Sequence, residues 1–153
     1  MMETGMIRTI LVAATLAATP ALCLAATLTF HADLKGGSEV PPTGSAGTGT
    51  VTATLDTSTD KLDYTLTWSG LTGAATMAHF HGPAAVGKNA GVQVVLGGTP
   101  MGSMAMGPVS PVHGTVTLTA AQITQLEAGD WYANVHSKKF PKGEIRGQVV
   151  AAK

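Results

Sequence analysis

Leu62-Asp63-Tyr64-Thr65-Leu66-Thr67-Trp68 is the stretch that decides the fold. Leu62, Tyr64, Leu66 and Trp68 occupy every second position, against Asp63, Thr65 and Thr67. A period of two puts one set on each face of a β-strand, where a helix would scatter both around its circumference. The same beat continues in both directions. Upstream, Thr27 to Leu34 carries Leu28, Phe30, Ala32 and Leu34, and Gly47 to Leu55 alternates through Val51, Ala53 and Leu55. Downstream lie Thr76 to His81, Gly91 to Leu96, Gly114 to Leu118, Gly129 to His136 and Gly143 to Val150. The pattern predicts an all-β domain: a Greek-key-like antiparallel β-sandwich of about eight strands.

The intervening segments have turn chemistry. They include Gly36-Gly37, Pro41-Pro42, Asp56 to Asp60, Gly97-Gly98, Pro108 to Pro111 and Pro141 to Gly143. One short helical turn is expected at Thr119 to Glu127, with Thr119 as N-cap, Ile123 and Leu126 on one face, and Gly129 as the stop.

Composition narrows the function classes. A chain of 153 residues is one domain with little room for a second. Its formal net charge is zero, which argues against a nucleic-acid groove or a polybasic membrane patch. Only 12% of residues are charged, while 19 are glycine, a mixture suited to strands and turns.

The N-terminus reads differently. Arg8 precedes an apolar run from Ile10 to Ala18, interrupted only by Thr15. Pro20 breaks the run, and small residues follow at Ala25 and Ala26. This is the pattern of a secretory signal peptide over residues 1–25, cleaved near Ala25 or Ala26. The run is short for a membrane span, so the mature chain, residues 26–153, is expected to lack one. The expected location is periplasmic or extracellular. Cys23 is the single cysteine, and Leu22 before it does not suit lipidation. Cleavage beyond Cys23 would leave no thiol, hence no disulfide and no thiolate ligand.

The best candidate site is a histidine cluster. His79 and His81 are two apart, so in a strand both rings project from one face, roughly 6.5–7 Å apart along the backbone. In Trp131 to His136, Trp131, Ala133 and Val135 form an apolar face, leaving Tyr132, Asn134 and His136 on the other. If the two strands share a sheet and align their polar faces, three imidazoles can meet at one metal ion. Such a set suits copper, with zinc as the alternative, and Asn134 or Glu144 could orient a ring. The bland alternative is that these histidines only form hydrogen bonds.

Met101, Met104 and Met106 lie together in a Gly/Pro-rich loop, and Met77 stands near His79. Thioethers favour copper as Cu(I), although loop methionines also fill gaps. His31 and His113 read as surface residues. Glu144 and Arg146 share a face, and an ion pair of Arg146 with Glu144 or Glu39 is the simplest expectation.

Three segments carry a family likeness: Leu34-Lys-Gly-Gly-Ser-Glu-Val-Pro-Pro42, Ala78-His-Phe-His-Gly-Pro83, and Trp131-Tyr-Ala-Asn-Val-His136 continuing to Pro141-Lys-Gly-Glu-Ile-Arg-Gly-Gln-Val149. In this order they resemble the CHRD domain, found in chordin and in many bacterial secreted proteins. The resemblance spans roughly Thr27 to Val150. It implies an all-β fold and no settled activity.

Three functions follow from these features. The first is binding of a transition-metal ion. The second is a metal-independent module that binds another protein or a matrix. The third, less favoured, is a copper oxidoreductase. No nucleophile elbow, phosphate loop or His-Glu-x-x-His helix marks an enzyme.

Overall fold

β1 (Thr27–Lys35), β2 (Thr48–Asp56) and β3 (Lys61–Ser69) form an antiparallel meander, in which Phe30 lies opposite Ala53 and Ala53 opposite Tyr64. β8 (Ile145–Ala151) returns to the free side of β1, so the local order β8-β1-β2-β3 is a Greek key. β7 (Trp131–Ser137) pairs with β8, β4 (Ala75–His81) with β7, and β5 (Val92–Gly97) with β4. β6 (Val112–Thr117) completes the other end beside β3. The computed structural model describes residues 26–97 and 107–152.

All eight strands belong to one antiparallel sheet, ordered β5-β4-β7-β8-β1-β2-β3-β6. The sheet wraps on itself into a sandwich that is nearly a barrel. Its two end strands approach one another: a Cβ added at Gly97 on β5 would lie 3.4 Å from Val112 on β6. Wrapping leaves one interior, filled from every strand by the residues of the apolar beat. Phe30, Leu34, Val51, Leu55, Leu62, Leu66, Phe80, Trp131, Val135, Ile145 and Val149 are all buried there. Each large side chain removed from water contributes about 1.5–3 kcal/mol before conformational entropy is subtracted.

The helical turn is present as α1 (Ala120–Glu127). Thr119 caps it through a reciprocal capping box: its hydroxyl accepts from the Gln122 N–H, and Gln122 Oε1 accepts from the Thr119 N–H at 2.9 Å. Leu126 is fully buried and Ile123 packs against the core. No helix among the described residues is long and apolar enough to cross a membrane.

Candidate metal centre

Alternation sets the facing of β4 and β7. Phe80 packs edge-on against Tyr64, with ring centroids 5.8 Å apart, and at a tilt against Trp131 at 5.7 Å. With Ala78, Phe80, Trp131, Ala133 and Val135 turned into the core, the odd residues of β4 and the even residues of β7 must face the other way. Gly82, just beyond β4, keeps this arrangement tight, because a Cβ there would collide with the Trp131 indole.

The register then assembles the site. His79 lies opposite Asn134, Met77 opposite His136, and His81 opposite Tyr132. Ring centroids are 5.0 Å apart for His79 and His136, 5.4 Å for His79 and His81, and 6.4 Å for His81 and His136. One ring nitrogen from each histidine lies within 4.8 Å of the other two, close enough to hold a metal ion. The convergence expected from the alternation is therefore present. Met101, Met104 and Met106 lie outside the described residues.

Main-chain carbonyls orient two of the rings. His136 Nδ1 is 3.0 Å from the Pro141 carbonyl, and His81 Nδ1 is 3.0 Å from that of Ala90. A carbonyl oxygen can only accept, so each Nδ1 carries the proton. In the neutral rings, Nε2 of His81 and of His136 is then left with a free lone pair facing the cluster. This carbonyl-anchored tautomer is the one in which a histidine presents Nε2 to a metal. His79 Nδ1 stands 3.1 Å from His136 Nε2. Asn134 Oδ1 lies 3.0 Å from His136 Nε2 and 3.1 Å from His81 Nε2.

Burial keeps the rings neutral. His79 and His136 are 8% and 6% exposed. Desolvation, followed by repulsion from His136 and His81, pushes the His79 pKa down to about 4. Burial also lowers His81, against the opposing bonds to Ala90 and Asn134, and lowers His136 against its bond to Pro141. Near neutral pH all three are unprotonated at one nitrogen, the state that ligates a metal.

Three loops cover this polar face, and all seven residues of β7 are buried. The segment after β4 folds back through hydrogen bonds from Gly82 N–H to Gly91 O and from Ala84 N–H to Asp130 O. Its Ala90 N–H donates to Tyr132 Oη at 3.2 Å. His81 stacks on Tyr132 from β4 (4.8 Å, 4° between planes), while the Arg146 guanidinium lies 3.4 Å from the ring centre, reaching it from β8 on the other flank.

The expected Arg–Glu ion pair is absent. Among the described residues the one ion pair is His31–Asp33, at 3.0 Å on the surface. Arg146 instead donates to Asn89 Oδ1 at 2.9 Å and to the Lys88 carbonyl at 2.5 Å, because stacking on Tyr132 carries its fork toward that loop. Glu144, fully buried, accepts from Ser45 Oγ at 2.6 Å and from the Thr72 N–H and hydroxyl at 2.7 and 3.0 Å. Burial works to raise its pKa, but these bonds and one from Ser137 outweigh it. Glu144 thus ties the loops before β2 and before β4 to the start of β8, and does not touch the histidines.

Glu39, expected as a partner for Arg146, has a different place. It is 6% exposed, and its Oε1 has no hydrogen bond of ordinary geometry. Burial raises its pKa to about 7, against the charge of Arg146 and the pull of the Val40 N–H and the nearby Asn134 amide. Gly143 makes room for this pair: a Cβ there would strike Glu39 Oε1 and lie 2.8 Å from Asn134 Nδ2. Its φ of +127° also favours glycine.

His31 and His113 take no part. His31 bonds Asp33, and His113 Nδ1 is 2.9 Å from the Thr65 hydroxyl, both on the exposed side of the sheet.

No curated protein and no solved structure matches the chain. The CHRD domain family model matches residues 30–149, which takes in β2 to β7 whole, most of β1 and β8, and all three histidines. With the three segments of the likeness folded around one centre, the chain belongs to the CHRD domain family.

Proposed function

We propose that this CHRD-domain protein is exported to the periplasm or cell exterior and binds one transition-metal ion, copper, through His79, His81 and His136. The observation that carries the reading is the pair of carbonyl anchors. They turn the Nε2 lone pairs of two rings, one buried and one half-buried, toward each other, with a third ring nitrogen alongside. Histidines serving only as hydrogen-bonding residues would not need a shared, desolvated centre. Copper is favoured over zinc by softness: Met77 shares the face of His79 and lies across from His136, and Met101, Met104 and Met106 lie elsewhere in the chain. Export rests on the Arg8, Ile10 to Ala18 and Ala25-Ala26 pattern.

Titrating tag-free protein with copper tests the site. The expected result is one ion per chain, bound at least a hundredfold more weakly by the His79→Ala/His81→Ala variant. Equal affinity in wild type and variant would remove this centre. Mass spectrometry of the exported protein should give a chain starting near Ala26.

A further inference from the structure

Asn134 occupies the position among the rings that a fourth ligand would take. Its Oδ1 is 3.0 Å from His136 Nε2 and 3.1 Å from His81 Nε2, and His79 Nδ1 is 3.1 Å from His136 Nε2. Four donor atoms around a metal at 2.0–2.1 Å, placed tetrahedrally, are separated by roughly 3.3 Å. Three of the separations here therefore already approximate edges of a coordination polyhedron.

The hydrogen-bond inventory makes the same point. Both Nε2 atoms are lone-pair acceptors, because the protons sit on Nδ1. An amide oxygen is also only an acceptor. Oδ1 therefore faces two lone pairs with no proton to share, an unfavourable grouping in a desolvated site that one cation relieves. The other end of the amide has its own counterpart: Nδ2 and the buried, unsatisfied Glu39 Oε1 meet beside Gly143. Reversing the amide would set Oδ1 against that carboxyl, where only a protonated Glu39 could satisfy it.

We propose that Asn134 Oδ1 is the fourth ligand of the metal, and that Glu39 is a positioning residue that holds the amide nitrogen outward. This rests on the three-histidine site proposed above. It makes the centre a His₃-oxygen set, closed by the protein.

Copper binding and Cu(II) EPR of tag-free wild type, Asn134→Ala, Asn134→Asp, Glu39→Gln and Glu39→Ala test it. Asn134→Ala is expected to bind at least tenfold more weakly, with g∥ and the visible d–d band shifted as an oxygen donor is replaced by water or lost. Asn134→Asp keeps an oxygen donor and should bind as tightly as wild type or tighter, so it serves even if the alanine variant folds poorly. Glu39→Gln keeps an acceptor for Nδ2 and should retain the wild-type spectrum, whereas Glu39→Ala should shift toward that of Asn134→Ala. Wild-type spectra in Asn134→Ala overturn the ligand role, even where affinity falls. Identical spectra in both Glu39 variants overturn the positioning role. A wild-type chain that binds no copper overturns the histidine site as well, which separates the two failures.

Discussion

His113 and His136 are the same residue type on the same kind of strand, yet they live in opposite halves of the sheet. The β1-β2-β3-β6 half buries its inner face and leaves the outer face to water. There His113 and His31 find a threonine and an aspartate and remain ordinary surface groups. In the β4-β7-β8 half the central strand β7 is covered on both sides, by the core within and by loops without, and has no exposed residue. The comparison shows that the alternation of a strand places a histidine, but the covering of that face determines its protonation and its use. A ring under a loop must find a hydrogen-bond partner, stay neutral, or bind a cation.

The largest effect that would sharpen the contrast comes from the core side. Phe80→Ala should cost about 3–5 kcal/mol, read as a fall in the denaturant midpoint, because Phe80 is fully buried against Trp131 and Tyr64. A loss under 1 kcal/mol would mean that the two strands are held mainly from their polar side.

Acid and base should then act on the covered half with opposite signs. The His79 pKa is about 4 when folded, against 6.5. The unfolded chain therefore takes up more protons between these values, and metal-free protein should lose stability as pH falls through that window. Glu39, raised from 4.5 to about 7, works the other way: its carboxyl ionises more readily once unfolded, so its contribution is lost as pH rises through that range. Glu39→Gln should accordingly gain several degrees in Tm relative to wild type between pH 4.5 and pH 7.5. A constant difference across that range would show that Glu39 ionises as freely in the fold as outside it.

The smallest effect belongs to the open half. His31→Ala and His113→Ala should each stay within about 0.5 kcal/mol of wild type and leave copper affinity unchanged. A change in binding from either would break the division between the halves.

The sequence made much of this legible. The beat through Leu62 to Trp68 gave the strands, and that through Trp131 to His136 gave the shared face of the three histidines. It left unread what lies over that face, since covering is a matter of loop path. The carbonyls of Ala90 and Pro141 carry no side-chain signal at all. Arg146 was misassigned for a related reason: spacing showed which way it left the strand, but the Tyr132 ring and the Asn89 loop that receive it are set by three-dimensional packing. The alternation put Asn134 on the histidine face as a residue that could orient a ring, but its place between two rings depends on the β4–β7 register.

Fixing two rings by main-chain oxygens has an evolutionary consequence. Substituting Ala90 leaves its carbonyl in place, so ring orientation is protected from most single amino-acid exchanges there. Insertions and deletions between Gly82 and Gly91, or between Ser137 and Glu144, are a different matter, since they shift the oxygens themselves. Relatives could therefore diverge widely in the identity of these loop residues while their lengths stay constrained.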